Sequence, residues 1–104
     1  MSDPKDEAQR RLNEAAFLCP WGIYTHRKGG LYVVFAHSVD EASLVPLVHY
    51  FSLEKETRWT RTVENFLEDV EGKRRFQWVR SAWPYEMEQA RSPCFRLTMR
   101  GSPR

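Results

Sequence analysis

Gly22-Ile23-Tyr24-Thr25-His26-Arg27-Lys28-Gly29-Gly30-Leu31-Tyr32-Val33-Val34-Phe35-Ala36-His37-Ser38 is the stretch that decides the fold. Two segments rich in β-branched and aromatic residues flank a Gly-Gly pair, and glycine enters the positive φ of a tight turn without a Cβ clash. The stretch therefore predicts a β-hairpin on which the rest of the chain is built. Loop length decides the faces. A two-residue loop sets Lys28 opposite Leu31 and His26 opposite Val33, whereas a three-residue loop sets Arg27 opposite Leu31 and His26 opposite Tyr32. One residue of slip turns every side chain to the other face. In both registers Tyr24, His26 and Lys28 share one face of their own strand, because they are two apart.

Working outward, residues 4–19 read as a helix that packs on the hairpin. Ser2 and Asp3 are N-cap types, Pro4 suits the first helical position, and Asp6 and Glu7 put negative charge at the positive end of the helix dipole. Ala8, Leu12, Ala15, Ala16 and Cys19 form an apolar stripe that Phe17 and Leu18 are expected to join, and Pro20 stops the helix. After the hairpin, Val45 to Phe51 reads as a strand. Thr57 to Arg61 reads as another, with Trp59 inward and Arg58 and Thr60 outward. Thr62 is a plausible cap for a short amphipathic helix carrying Val63, Phe66, Leu67 and Val70 and ended by Gly72. Arg75 to Val79 forms a further strand. Trp83-Pro84 and Ser92-Pro93 argue for a loop around one helical turn at Glu86 to Arg91. Phe95, Leu97 and Met99 alternate with Arg96, Thr98 and Arg100, the pattern of an added strand with a cationic outer row. Residues 101–104 are expected to be disordered.

With 104 residues the chain has one domain's worth of core, able to hide roughly two-thirds of its unfolded surface from water. The 41% hydrophobic and 29% charged residues are ordinary for a globular domain, and 13% aromatic content promises a core of large rings. No apolar run is long enough to span a bilayer and the N-terminus has no apolar signal core, so the expectation is a cytoplasmic protein with no membrane partner. Cys19 and Cys94 are isolated, and His26, His37 and His49 lack ligand spacing, so neither a metal nor any cofactor is expected. The net charge of +2 conceals an asymmetry: residues 72–104 carry 8 basic and 2 acidic side chains, against 5 and 8 in residues 22–71. A basic segment can dock on phosphates or serve as a solvated surface.

Short strands with a helical turn before the last of them give the order of elements in small SH3-like barrels. The expected architecture is one α+β domain, mainly β: a partly open SH3-like barrel over residues 21–79, a packed N-terminal helix at 4–19, and a C-terminal extension at 80–104.

Gly22-Ile23-Tyr24, His26, Lys28-Gly29, Leu31-Tyr32, His37-Ser38, Val48, Tyr50, Trp59-Xaa-Arg61 and Phe66-Leu67-Glu68 together resemble a small bacterial family, domain of unknown function 1653. The resemblance covers roughly residues 21–79. Its pattern runs Gly-Xaa-Tyr-Xaa-His-Xaa-Lys-Gly, His-Ser-Glu-Thr, Val-Tyr, Trp-Xaa-Arg-Pro and Met-Phe. The chain departs from it at Val39-Asp40, Thr62 and Asn65, departures that bear on the connecting turns more than on the barrel. The family has no established activity, so the resemblance implies a fold and no catalytic residue.

For function, Tyr24, His26, Lys28, His37, Tyr50, Trp59 and Arg61 are the candidate ligand-binding residues. Together they offer cationic, aromatic and hydrogen-bonding groups suited to phosphate, carboxylate or a nucleobase. The competing reading puts Tyr24 in the core, a satisfied His26 on a strand and a solvated Lys28 by the turn. The expected function is a non-enzymatic binding module for an anionic ligand, nucleic acid or nucleotide ahead of an acidic protein surface. One alternative is a protein-protein adaptor acting through aromatic loops at Trp83 and Tyr85. Another is a small hydrolase with His26 or His37 as general base and Ser38 or a cysteine as nucleophile.

Overall fold

The computed structural model describes residues 3–92, so the strand expected over 94–100 and the second cysteine lie outside the described residues. Helix α1 (Pro4–Leu18) begins as its sequence demands: the Asp3 carboxylate accepts the Lys5 N–H at 2.9 Å and Pro4 occupies the first turn. Its packing is narrower than the stripe predicts. Ala15 and Cys19 are buried, but Phe17 is 83% exposed and Leu18 is partly exposed too, because the helix touches the sheet along one thin line of small residues.

Strands β1 (Gly22–His26) and β2 (Leu31–Val39) form the expected hairpin. Gly29 and Gly30 both take positive φ, at 101° and 92°. Neither anticipated register is the observed one. Thr25 faces Leu31 and Tyr24 faces Tyr32, which makes the loop longer than either expectation. Its ends are tied by the Gly29 N–H to the His26 carbonyl (2.7 Å) and the His26 N–H to the Gly30 carbonyl (3.3 Å). Because this register differs from the three-residue alternative by an even step, it has the same faces: Tyr24, Tyr32 and Val34 lie together.

Strands β3 (Pro46–Ser52), β4 (Arg58–Thr62) and β7 (Phe76–Arg80) complete a five-stranded antiparallel sheet in the order β4-β3-β2-β1-β7. Between β4 and β7 lie the one-turn helix α2 (Val63–Phe66) and a separate small hairpin of β5 (Asp69–Val70) and β6 (Lys73–Arg74). Thr62 caps α2 by accepting the Asn65 N–H at 3.0 Å. The longer helix expected through Val70 does not form. Glu71 and Gly72 both take positive φ, so the chain turns there into β6. Helix α3 (Pro84–Arg91) exceeds the single turn expected because Pro84 occupies a first-turn position, where it is tolerated. Glu86, 3% exposed, fixes its start by accepting the Trp83 N–H (2.9 Å) and pairing with both Arg80 Nη atoms (2.8 and 2.9 Å).

Among the described residues the sheet does not close into a barrel: β4 and β7 are not paired with each other. The reason is that each face has its own cover. Ala15 and Cys19 of α1 and Val63 and Phe66 of α2 pack with Tyr24, Val34, Val48, Tyr50 and Phe76 on one face. Ala90 and Met87 of α3 pack with Ile23, Val33, Phe35 and Phe51 on the other. A sheet buried by helices on both sides has no apolar face left to hide by curling. The class is therefore mixed helix and antiparallel sheet, mainly strands, and open.

Candidate anion-binding site

The cavity that gathers sequence-predicted residues lies on the face covered by α2, near the hairpin loop. Antiparallel pairing sets Tyr50 opposite both Val34 and Trp59, and His26 opposite Phe76, so alternate residues of β1, β3, β4 and β7 share this face. Four of the expected residues, His26, Tyr50, Trp59 and Arg61, line a half-open cavity of about 190 Å³ together with Tyr32, Lys55 and Phe76. None of these seven is acidic. The walls include an edge-to-face aromatic cluster, with Tyr50 5.1 Å from Phe76 and 5.7 Å from Tyr32, and behind it the buried Phe66 stacks on Phe76 at 4.2 Å. Trp59, expected inward, is instead 51% exposed, because β4 is an edge strand with no neighbour on its outer side.

Arg61 is fixed from two sides. Its Nε donates to the Tyr50 hydroxyl at 2.7 Å and its Nη1 to Asn65 Oδ1, while its guanidinium lies 5.6 Å from the Phe76 ring centroid. No carboxylate among the described residues forms an ion pair with it. Behind it, Asn65 Nδ2 donates to Glu68 Oε1 (3.4 Å), which also accepts Arg75 Nη2 at 2.6 Å. Arg75 Nε is buried without a hydrogen-bond partner.

Charge in this region is uniformly positive at the imidazole. Burial lowers the His26 pKa below the usual histidine value, and Arg61, Arg75, Arg27 and Lys28 lower it further. The ring is thus neutral near pH 7. Its Nδ1 accepts the Lys28 N–H at 3.0 Å, which leaves the proton on Nε2. Burial raises the Tyr50 pKa against the opposing pull of the Arg61 hydrogen bond, so this hydroxyl keeps its proton as a donor. The arrangement is a ring-walled recess whose polar groups are almost all donors.

Three expected residues are elsewhere. Tyr24 is core: it is 5% exposed, its hydroxyl donates to the Pro20 carbonyl (2.9 Å), and its ring meets Phe66 and Trp78 edge-on. His37 donates from Nε2 to the Cys19 carbonyl at 2.6 Å and so ties the end of α1 to β2. Lys28 is exposed at the hairpin tip, outside the cavity lining. Sequence reading missed Tyr32, Lys55 and Phe76. The first and last follow from register alone, since Tyr32 pairs with Tyr24 and Phe76 with His26.

A second constellation was invisible from spacing. His49 lies between the Ser38 hydroxyl (Oγ to Nε2, 2.7 Å) and the Thr60 hydroxyl (Oγ1 to Nδ1, 3.0 Å), and burial lowers its pKa. A register shift in β2 between Val34 and Ala36 brings Ser38 and His49 to one face. Among the described residues no acidic group bonds to this histidine. Of the adaptor residues, Trp83 and Tyr85 are both at least half exposed, and the Arg80 guanidinium lies 3.8 Å from the Trp83 ring centroid. Among the described residues no three His, Cys, Asp or Glu side chains are placed to hold a metal ion, and no helix is long and apolar enough to cross a membrane.

Comparison with known proteins supports the frame on which this cavity is built. No curated protein matches the chain. A crystal structure of a DUF1653 protein from Bordetella bronchiseptica is similar to it with a TM-score of 0.54 and 24% sequence identity, over 62% of this chain and 91% of that one. A family model described as "Protein of unknown function (DUF1653)" matches residues 22–81, a span that holds the whole five-stranded sheet and every residue lining the cavity. The chain belongs to the DUF1653 family.

Proposed function

We propose that this domain is a non-enzymatic binding module whose cavity beside α2 takes the anionic group of a ligand that also carries a planar ring, a nucleotide or nucleic acid ahead of an acidic protein surface. One observation carries the reading: Arg61, Lys55 and the His26 and Tyr50 donors converge on a recess with no acidic wall, and the exposed Trp59 ring stands at its rim. Cations without carboxylate partners attract anions, and an exposed indole is a stacking platform for any base.

Titration with a labelled single-stranded oligonucleotide at several salt concentrations tests it. The affinity should fall linearly on a log–log plot as counterions are released. Replacing Arg61 with Met should weaken binding by about tenfold or more, the size of one charge-assisted hydrogen bond. Binding that ignores both salt and Arg61 would remove the proposal.

A further inference from the structure

We infer that the anion this cavity takes is a terminal phosphomonoester, as on a mononucleotide or the end of a nucleic-acid strand, and not an internal phosphodiester. The inference deepens the anion-binding reading and rests on it.

Size is the first argument. At about 190 Å³ the cavity is smaller than the roughly 300–1,000 Å³ of pockets that enclose whole small molecules. Such a recess holds a phosphate and part of one ring. An internal diester has to bring chain in on one side and lead it out on the other, past walls formed by Tyr32, Tyr50 and Phe76. A monoester enters by its end and leaves the rest of the ligand outside, beside the exposed Trp59.

Charge and donor count point the same way. Near pH 7 a monoester carries about −1.5 to −2 and three free oxygens, whereas a diester carries one charge and two free oxygens. The cavity supplies Arg61, Lys55, the Nε2–H of His26 and the hydroxyls of Tyr32 and Tyr50, which exceeds what a diester can accept. Arg75 adds a second guanidinium whose charge acts on both His26 and Tyr50. Its Nε is the one buried side-chain polar atom among the described residues that meets no hydrogen-bond partner. Arg75 is not among the residues that line the cavity, so it acts on a phosphate there through its charge and not through a direct hydrogen bond. Glu68 holds the far end of Arg75 through Nη2 and is itself half exposed, so it restrains the arginine without entering the cavity lining.

The test uses two ligands that differ by one methyl group. Thymidine 5′-monophosphate and its phosphate methyl ester share base, sugar and phosphorus but present a monoester and a diester, and both are titrated into the full chain by calorimetry. The monoester should bind at least tenfold more tightly. Equal binding, or tighter binding of the methyl ester, overturns the inference while leaving the anion-binding reading intact. If neither binds at millimolar concentration and a single-stranded oligonucleotide also fails, the anion-binding reading falls as well. Arg75→Met removes the second positive charge beside the cavity, so it should cut the monoester preference several-fold while an unchanged circular dichroism spectrum shows the fold is kept. A preference undiminished in that variant overturns the part assigned to Arg75. Competition by thymidine 5′-monophosphate against oligonucleotides ending in a 5′-phosphate, a 3′-phosphate or hydroxyls at both ends then separates the two sources. A free-nucleotide site favours the mononucleotide, and a strand-end site favours one phosphorylated terminus.

Discussion

Replacing Gly22 with Ala probes the joint on which the sheet's outer strand depends. A Cβ at this position would lie 2.3 and 2.6 Å from Cζ3 and Cη2 of Trp78 and 2.9 Å from the Arg80 carbonyl oxygen, all well inside contact distance. The indole could swing aside, since Trp78 is about half exposed. The carbonyl cannot, because Arg80 is paired with Ile23 in the β1–β7 ladder. Forcing a methyl group into such a site typically costs about 1–3 kcal/mol. For a domain of this size each kcal/mol lowers the melting temperature by about 4–8 °C. Thermal unfolding of Gly22→Ala should therefore show a loss of about 4–24 °C, the product of those two ranges, and urea unfolding the matching drop in midpoint. The same substitution in a Trp78→Ala background should cost less but not nothing, because only the clash with the ring has gone. A Gly22→Ala variant within about 0.5 kcal/mol of the parent, the range of ordinary surface changes, would refute this account of the strand joint.

Two further outcomes follow from the charges and caps. His26 and His49 are both held below the usual histidine pKa, chiefly by burial, so between pH 7.5 and 5.5 the unfolded chain binds protons that the folded chain resists. Stability should thus fall as pH drops through about 6.5, and a urea midpoint that is flat or rising over this interval contradicts it; the lowered carboxylates Glu7, Asp40 and Glu86 act only at lower pH. Glu86→Ala removes the acceptor for Arg80 and for the Trp83 N–H at the start of α3, which should cost about 1–3 kcal/mol in chemical denaturation. Faster amide exchange should appear first in Met87 to Ala90, and uniform exchange along the chain would argue against a local role.

Local chemistry made the hairpin legible, because paired glycines between aromatic segments have few other uses. The same holds for α1 and for the Thr62 cap, where a side chain three residues from its partner settles the geometry. Register was not legible. Whether Thr25, Arg27 or Lys28 faces Leu31 depends on how Arg27 and Lys28 are taken up by the loop, and that is decided in part by the Arg27 N–H bonding to the Arg75 carbonyl, 48 residues away in sequence. The open sheet was hidden for a related reason. Closure or openness turns on whether α3 covers the second face, and α3 reads as a proline-broken loop until Ala90 is seen packed with Ile23, Val33 and Phe51. For the site, period two sets the strand face of His26, Tyr50 and Arg61, and these three do line one cavity. Tyr24 and His37 lie outside that cavity, because packing under α1 and α2 for the one and the bond to the Cys19 carbonyl for the other are tertiary facts.

The cavity and the architecture share their fastenings. Arg61 immediately precedes Thr62, the cap of α2, so the turn from strand to helix that starts α2 also fixes where the guanidinium lies. From there Asn65 and Glu68 carry hydrogen bonds to Arg75 at the entry to β7, and Phe66 from the same helical turn stacks on Phe76 of that strand. Four polar side chains thus run from β4 through α2 to the far edge of the sheet, and Phe76 of the aromatic pair forms part of the cavity wall. A polar chain of this kind is costly wherever a member is unsatisfied, and its one orphan donor is Arg75 Nε. The fold carries that cost one residue before Phe76, whose ring is cavity wall, so the arginine's charge is held beside the recess and not within its lining.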